Sequence, residues 1–478
     1  MKKNNKHKSD NHYLKRKYFA MPDAFIIIFG IALLSAIATY IIPAGLYERE
    51  EVDGITQAIP GSFSFTESNP TSLMDLFLAI QNGMIESGNI IFLIFMIGGA
   101  VAILDYSGAI DAGINALVRK TKGNTTLLVA SVIIIFGIIC TVGVASNAVI
   151  AFIPLGIGLA RALKLDAIAG VAIVYLGFYA GNTAGVLEPT ILGVAQTIAE
   201  LPLFSGLLLR LGVFIALMIV TIIYVVRYIN KITKDPSLSL MGDTPFTTST
   251  DEATEEEKRN QSFTKKHIAV ILVFFIFIGI FLYGALTLDW SVNELAAIFI
   301  MMGIAVAAVN KISPNEFIKI FMNGAKNITY GALVVGIARA VIVVMQEGNI
   351  MDTIVYAALT PLESLGVGLG AMALYGFNLL FNLLVTSGTG QASIVMPLMV
   401  PLVDMLDITR QTGVLAMKLG DGITNIITPT SGVLMAVLAV GGVSWTKWFR
   451  FIYPLVLIWI VVGAAFMGLA AMINYGPF

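Results

Sequence analysis

The sequence predicts an all-α polytopic membrane protein made of two repeats in inverted orientation, each with one re-entrant hairpin and one broken transmembrane helix. Two observations support this fold class. Of the 478 residues, 57% are hydrophobic and only 12% are charged, and several apolar runs reach about 20 residues, the length that spans a bilayer. In addition, two stretches about half the chain apart follow one pattern, and both interrupt an apolar run.

These two stretches align at an offset of 243 positions. The first contains VASNAVIAFIPLGIG and then GFYAGNTAGVLEPT, and the second contains VTSGTGQASIVMPLM and then KLGDGITNIITPTSG. The alignment places Ser146 on Thr389 and Asn182 on Asn425. Glycine, proline and small polar residues interrupt apolar helices, so we predict hairpin tips at the first pair and helix breaks at the second. The hairpins cover 125–160 and 369–404, and the broken helices cover 166–200 and 411–443.

The other apolar runs predict full membrane spans, because backbone polar groups in hydrocarbon must be satisfied within a helix. These spans cover 22–45, 88–104, 203–227, 267–288, 294–310, 327–345 and 449–472. An amphipathic match between DLFLAIQNGM and EFIKIFMNGA, offset by 241 positions, extends the duplication. The predicted organisation is a basic tail (1–21), repeat 1 (22–230), a flexible linker without a fold of its own (231–266), a connecting helix (267–290) and repeat 2 (291–478).

The distribution of Lys and Arg predicts the orientation. Most of the 29 Lys and Arg residues lie in segments that this layout places on the cytoplasmic side, as the positive-inside rule requires. Reading either hairpin as a single crossing would move the basic loops after it to the outside. We therefore predict two re-entrant hairpins, a cytoplasmic N-terminus and a location in the cell membrane, with the connecting helix inverting the second repeat.

Composition and motifs exclude several classes of function. The net charge of −1 and the pI near 6.3 give no basic face for a nucleic acid, and the single cysteine, Cys140, excludes an intramolecular disulfide. The sequence contains no nucleotide-binding loop, no HExxH and no nucleophile elbow, so we expect neither an enzyme nor a cofactor. Trp445 and Trp448 are interpreted as an interfacial anchor, a common position for tryptophan in membrane proteins.

The breaks are the predicted binding site. A helix end inside the membrane presents free N–H or carbonyl groups that can bond a solute. Helix N-termini favour carboxylates, and helix C-termini favour cations. The candidate substrate-binding residues are Ser146, Asn147, Asn182, Thr183, Ser387, Gly388, Thr389, Gly390, Gln391, Asp421, Asn425, Thr428 and Thr430. Charges within spans are costly and default to functional hypotheses, so Glu188, Arg339 and Lys418 are candidate charge partners. The alternative for these three is an internal salt bridge.

Several motifs resemble one transporter group. The SGTGQ tip combined with GDGITNIITPTSG, the segment GIARAVIVVMQEGNIMDTI and the opening MPDAFIIIFGIALLSAIATYIIPAG are similar to the YfcC/DcuC group of the ion-transporter superfamily. The resemblance covers nearly the whole chain and implies carriers of C4-dicarboxylates or of basic amino acids, including arginine/ornithine exchangers. It also implies a homodimer, with a scaffold region and a moving transport region.

The sequence therefore predicts a secondary active transporter of a small carboxylate-bearing metabolite that works by alternating access. A basic amino acid, exchanged in an arginine/ornithine-like manner, and a C4-dicarboxylate both stay open as substrates. An ion-coupled carboxylate symporter using Na⁺ or H⁺ is the alternative mode, and the residues that would hold a metal ion are not indicated. A channel, which shares broken helices but shows no counterflow, is a less favoured hypothesis, followed by a membrane enzyme.

Overall fold

The computed structural model describes residues 23–52, 55–109, 112–113, 125–141, 146–188, 190–242, 244–246, 264–288 and 290–476. Within these ranges the chain forms 18 α-helices and four short β-strands. The first half contains α1 (Ala24–Ala38), α2 (Leu73–Glu86), α3 (Gly88–Tyr106), α4 (Thr125–Thr141), α5 (Val149–Ala162), α6 (Ala167–Ala184), α7 (Ile191–Ile198) and α8 (Leu207–Lys234). Helix α9 (Lys265–Thr287) follows.

The second half repeats this order of helices. It contains α10 (Val292–Asn310), α11 (Pro314–Asn327), α12 (Thr329–Glu347), α13 (Met351–Leu359), α14 (Val367–Phe381), α15 (Gly388–Met405), α16 (Arg410–Asn425), α17 (Gly432–Gly441) and α18 (Trp445–Met472). Helices α2 and α11 both have 14 residues, α3 and α12 both have 19, and α8 and α18 both have 28. The duplication found in the sequence is therefore also a duplication of helix lengths and order.

Seven of the described helices are long and apolar enough to cross a membrane: α3, α6, α8, α9 (over Lys265–Gly284), α10, α12 and α18. Six of these correspond to predicted full spans. The predicted span 22–45 is not a full-length helix, because α1 ends at Ala38 after 15 residues and the chain turns ahead of Pro43. A helix of this length rises about 22 Å, less than the thickness of a typical hydrocarbon core. Helix α1 packs against α12.

The two halves exchange packing partners. The amphipathic helix α2 packs on α12 of the other half, and its repeat mate α11 packs on α3. Both contacts depend on glycine: a Cβ on Gly83 would lie 2.5 Å from the Gly336 carbonyl oxygen, and one on Gly324 would lie 2.3 Å from the Gly98 oxygen. Small residues allow such close approach of helices in membranes. Each amphipathic helix of the duplicated pattern therefore packs on a long helix of the other half.

The helices of the predicted hairpins and the interrupted helices also pack reciprocally. Helix α6 is surrounded by α4, α5 and α8, and α16 by α14, α15 and α18. Helix α5 contacts α17, α15 contacts α7, and α6 and α16 touch each other. All the residues of α6 are buried, and so are all those of α16 except its first residue, Arg410. The C-terminal ends of these two helices consequently lie in the interior of the molecule rather than at its surface.

Four short strands lie between α1 and α2. Strand β1 (Gly45–Leu46) pairs antiparallel with β4 (Ser64–Phe65), with Gly45 opposite Phe65, and β2 (Arg49–Val52) pairs antiparallel with β3 (Ile55–Ala58), with Arg49 opposite Ala58. Arg49 forms an ion pair of 2.8 Å with Asp352 of α13. This pair ties the strands of the first half to the second half.

Part of the predicted linker is folded, which differs from the expectation of a connector without structure. Helix α8 continues to Lys234, and a short 3₁₀ helix covers Pro236–Leu238. The buried Asp166 carboxylate, at the start of α6, accepts hydrogen bonds from the hydroxyls of Ser239 (2.6 Å) and Tyr228 (2.5 Å). A buried carboxylate is stable only when such donors surround it. The first part of the segment after α8 is therefore fixed to the end of α6.

We predict that Gly83→Ala lowers the unfolding temperature by several degrees, because overpacking a tight contact costs about 1 to 3 kcal/mol. The matched control is Gly279→Ala in the middle of α9, where an added Cβ meets nothing within 4 Å. It should be neutral or stabilising, since alanine favours a helix over glycine. Thermal unfolding of both variants in detergent checks this, and equal melting temperatures would contradict the close crossing of α2 and α12.

Candidate functional site

The structure places a cavity of about 470 Å³ between the hairpins and the helix breaks. The predicted residues Asn147, Asn182, Ser387, Gly388, Thr389, Asp421, Asn425, Thr430 and Arg339 line it. Residues from both hairpins and both breaks therefore meet around one space, although they lie more than 200 positions apart. We call this space the central cavity.

Five helix N-termini face the central cavity. They are the first residues or N-caps of α3 (Ser87, Asn89), α7 (Thr190, Ile191), α10 (Ser291), α15 (Ser387, Gly388, Thr389) and α17 (Ser431, Gly432, Val433). The first N–H groups of a helix have no partner inside the helix and carry a partial positive charge. The walls of the central cavity are thus well suited to a carboxylate.

Helix C-termini supply the other part of the lining. Asn182 lies in the last turn of α6, Asn425 is the last residue of α16, and Glu86 is the last residue of α2. Carbonyl groups at helix C-termini carry partial negative charge. A solute with one carboxylate and one or more amino groups could therefore find complementary ends on different walls of the central cavity.

A buried cluster of charges joins the two breaks. The Lys418 ammonium lies 3.3 Å from the Glu188 carboxylate and 3.7 Å from that of Asp421. It also donates a hydrogen bond of 3.4 Å to the Asn182 side-chain oxygen. The side chains of Lys418, Glu188 and Asp421 are at most 2% exposed. Removing one member of such a cluster leaves an uncompensated buried charge, which is strongly destabilising.

The Glu188 carboxylate caps the N-terminus of α7 and also pairs with Lys418. It accepts hydrogen bonds from the backbone N–H groups of Ile191 (3.0 Å) and Leu192 (2.9 Å) and from the Thr190 hydroxyl. The N-terminus of α10 is capped in the same way by the Glu294 carboxylate, which accepts a hydrogen bond of 2.9 Å from the Ser291 N–H. Among the described helices, the N-termini of α3, α15 and α17 remain to interact with a solute.

Asp421 is positioned to meet a solute directly. It lines the central cavity, and its Oδ1 accepts a hydrogen bond of 2.8 Å from the Asn425 amide. Its backbone carbonyl accepts a hydrogen bond from Asn382, whose amide also reaches the Thr424 hydroxyl at 2.7 Å. Oδ2 of Asp421 is the oxygen that pairs with the Lys418 ammonium at 3.7 Å. Oδ1 of Asn425 is buried and accepts no hydrogen bond from any described residue, so it is an acceptor for a cationic group in the central cavity, next to the Asp421 carboxylate.

The opposite wall carries a second ion pair. Arg339 of α12 donates to Glu86 of α2 at 2.7 Å, and both side chains are about one third exposed and line the central cavity. An ion pair of this kind, in contact with solvent, contributes little to stability. The Arg339 guanidinium can consequently exchange its partner for a solute carboxylate at low cost.

Several predicted residues lie behind the cavity lining. Thr183 packs against Gly422, where an added Cβ would come within 2.3 Å of its hydroxyl. Gln391 donates to Asn378 at 2.9 Å and joins the two arms of the second hairpin. Thr428 exchanges a hydrogen bond of 3.0 Å with Thr430. Glu188, Lys418 and Gly390 also do not line the cavity, and the Ser146 side chain falls outside the described part of the structure, although its backbone forms the 3₁₀ turn Ser146–Ala148.

The interpretation of Trp445 and Trp448 as an interfacial anchor is wrong. Trp445 is 5% exposed and Trp448 is fully buried. Their indole N–H groups donate hydrogen bonds of 2.9 Å to the carbonyls of Ile427 and Ile426, directly after the end of α16. Two tryptophans of α18 therefore complete the backbone of the second break, because carbonyls left bare inside a membrane protein are costly.

Sequence reasoning missed about half of the polar lining. The missed residues are Glu86, Ser87, Asn89, Tyr179, Thr190, Ser291, Thr386 and Ser431. Two of them stand in sequence patterns that mark the start of a helix. Ser291 followed by Glu294 is a capping box. Ser431 directly precedes Gly432 at the start of α17. Tyr179 and Glu86 carried no such signal, because helical periodicity does not show which neighbour a face meets.

Polar helix ends around a cavity inside an apolar helical bundle define a membrane transporter. The model of the C4-dicarboxylate anaerobic carrier family, DcuC, matches residues 21–472. The chain belongs to this family.

Two curated relatives extend over nearly the whole chain. It is 30% identical to the Escherichia coli (strain K12) protein named "Putative basic amino acid antiporter YfcC", over 94% of each chain. It is 26% identical to an uncharacterized protein of Haemophilus influenzae, over 94% of this chain and 97% of the relative.

Two solved transporters share a weaker likeness. The Alcanivorax borkumensis YdaH transporter is 16% identical with a TM-score of 0.44, over 95% of this chain and 100% of that one. Neisseria gonorrhoeae MtrF, described as one of a class of antimetabolite efflux pumps, is 15% identical with a TM-score of 0.42, over 94% and 95% of the two chains.

We predict that Glu188→Gln destabilises the protein by about 3 kcal/mol or more, because it leaves the Lys418 ammonium short of a buried partner. Glu86→Gln is the matched control: it makes the same chemical change in an ion pair of 2.7 Å whose carboxylate side chain is 40% exposed, where the cost should be about 0 to 1 kcal/mol. Melting temperatures of the two purified variants check this. Similar values would mean that the buried cluster does not hold the breaks together.

Proposed function

We propose that this protein is a secondary active transporter that exchanges basic amino acids by alternating access. In this proposal the hairpins and the broken helices (α4 to α7 and α14 to α17) form a transport unit that carries the solute, and the other helices form the scaffold. The breaks and the solute move together from one face of the membrane to the other.

One observation carries the choice of substrate: the charge buried at the breaks. Glu188, Asp421 and Lys418 together bear a net charge of −1, and the nearby Arg339 and Glu86 pair adds none. A basic amino acid has a net charge of +1 near neutral pH, so the three buried charges and the bound solute together are electrically neutral. Because a net charge is costly to move through a low-dielectric medium, this neutrality favours movement of the loaded form.

The same reasoning favours exchange over uniport. Without solute, the three buried charges keep their net charge of −1 and the helix ends at the breaks stay uncompensated. Reorientation of the empty form is then disfavoured, and return requires a second cationic solute. The name of the Escherichia coli relative, a basic amino acid antiporter, agrees with this mode.

The lining residues suggest how such a solute binds. The carboxylate is expected near Arg339 and the N-termini of α15 and α17, because oriented N–H groups and a guanidinium are carboxylate ligands. An amino group is expected at Oδ1 of Asn425, which accepts no hydrogen bond from a described residue and lies beside the Asp421 carboxylate. The two ends of the solute would thereby connect scaffold and transport unit.

An ion-coupled carboxylate symporter is the second candidate, and the family name, which refers to C4-dicarboxylates, supports it. A dicarboxylate would add two negative charges to breaks whose buried charges already sum to −1. Co-transported Na⁺ or H⁺ would have to neutralise them. The N-termini of α3, α15 and α17 favour this candidate, whereas the acidic excess at the breaks opposes it.

Orientation and assembly remain predictions. The distribution of Lys and Arg supports a cytoplasmic N-terminus and inverted repeats in the cell membrane, and the likeness to the family supports a homodimer. The re-entrant character of the two hairpins depends on the same orientation argument.

The function is tested by uptake of labelled arginine, ornithine, succinate and fumarate into proteoliposomes, with each solute in turn preloaded inside. We expect arginine uptake that saturates and that internal ornithine accelerates strongly. Uptake of succinate that requires a Na⁺ or proton gradient and is indifferent to internal ornithine would replace the exchanger by the symporter. A current that internal solute does not accelerate would indicate a channel.

We predict that Asp421→Asn lowers the transport efficiency for arginine by at least about ten-fold, because a lost charge contact of about 1.4 kcal/mol already has this effect. Asp404→Asn provides the control, since Asp404 pairs with Arg410 at 2.8 Å with its side chain 45% exposed. The control should transport at the wild-type rate. Unchanged arginine kinetics in folded Asp421→Asn would remove Asp421 from the binding site.

A further inference from the structure

The geometry points to a second role for Lys418: we propose that its ammonium is a built-in cation that takes the place of a coupling alkali-metal ion. The proposal rests on the proposed function in that the breaks carry the solute. Three oxygen-bearing side chains, from Asn182, Glu188 and Asp421, lie within 3.7 Å of the ammonium. In transporters with broken helices, Na⁺ is bound by oxygen atoms at the break, from unwound backbone carbonyls and the C-terminal ends of half-helices.

The lysine stem is built into the first break. Gly185, directly after α6, has a left-handed φ of +55°, and a Cβ at that position would lie 2.9 Å from Cε of Lys418. The stem therefore occupies the space over the C-terminal end of α6, where partial negative charge accumulates. Lys418 belongs to α16 but neutralises the end of the other broken helix.

The duplication shows that this use of lysine is specific to one break. At the offset of 243, the repeat mate of Lys418 is Tyr175. Tyr175 also reaches the opposite break, donating a hydrogen bond of 3.4 Å to the Asn425 carbonyl. One break thus receives a permanent positive charge and the other a neutral hydroxyl. The second break, with Asp421 and Asn425, is left to attract the cationic group of the solute.

The charge of Lys418 excludes a second cation from the place between Asn182, Glu188 and Asp421 that its ammonium occupies. Two unit charges about 4 Å apart in a medium with an effective dielectric constant near 20 repel enough to lower affinity roughly a thousand-fold. Lys418 also sets the net charge of the three buried residues at −1, whereas Glu188 and Asp421 alone would give −2. One monovalent cationic solute then suffices to neutralise these buried charges. Without Lys418, one additional monovalent cation is needed.

The test compares arginine/ornithine exchange in proteoliposomes containing Na⁺ with exchange in proteoliposomes where N-methylglucamine replaces Na⁺ on both sides at constant pH. Wild-type exchange should change by less than about two-fold. Exchange by Lys418→Ala should fall at least about ten-fold without Na⁺. Addition of Na⁺ or methylammonium should restore it along a hyperbolic curve, as expected for one site.

A second variant separates charge from local structure. Lys418→Ala/Glu188→Gln removes one positive and one negative charge, so the breaks return to the wild-type net charge. Its exchange should again be independent of Na⁺. If this double variant needs Na⁺ as much as Lys418→Ala does, the net charge is not what Lys418 controls, and the proposal fails. Equal exchange by Lys418→Ala in both media, or none in any cation by a folded Lys418→Ala, also overturns it.

A binding measurement makes the outcome independent of the solute. The melting temperature of purified wild-type protein should be the same in NaCl and in N-methylglucamine chloride at equal ionic strength, whereas that of Lys418→Ala should rise with NaCl. A Na⁺-dependent rise in the wild type overturns the proposal even if the variant does not fold. Absence of any arginine exchange by the wild type would instead reject the proposed function, and the two failures are therefore distinguishable.

Discussion

Where a helix breaks in the interior of a membrane, its free backbone N–H and carbonyl groups must find hydrogen-bond partners. The architecture of the site follows from this constraint. At the second break, the indoles of Trp445 and Trp448 bond the carbonyls that follow α16. At the first break, Glu188 caps α7. The remaining N-termini face the central cavity. The backbone groups that the chain itself does not hydrogen-bond are therefore concentrated around the cavity, where a solute can bind them. Membership of a family of carriers is consistent with this use.

The buried charges connect the structure of the breaks to the energetics of transport. Lys418 holds the two breaks together through carboxylates on either side, so α6 and α16 cannot separate without exposing uncompensated charge. The same three residues fix the net charge that is buried at the breaks. The stability of the breaks and the number of cationic charges that bind there thus depend on one cluster. The ion pair of Arg339 and Glu86, which is partly exposed, contributes to binding without such a constraint.

Much of the fold could be predicted from the sequence because it depends on short stretches of residues. Glycine, proline and asparagine within apolar runs indicated where α6 and α16 end, at Ala184 and Asn425. The amphipathic match at an offset of 241 corresponds to two helices of equal length, α2 and α11. The sequence did not show that α1 ends at Ala38. It also did not show that the first part of the linker is fixed by a hydrogen bond from Ser239 to Asp166, which accepts another from Tyr228. A propensity cannot show such distant partners.

The sequence by itself determined that this is a membrane protein, that its chain is duplicated and where its helices break. These features depend on composition and on short-range backbone preferences. Only the tertiary structure decided which side chains bond the backbone and charged groups at the breaks. Lys418 reaches Glu188 across more than 200 positions, and the indole of Trp448 meets the end of α16 rather than the membrane interface. The direction of a side chain depends on how neighbouring helices pack and rotate, and helical periodicity specifies a buried face without specifying the partner that covers it.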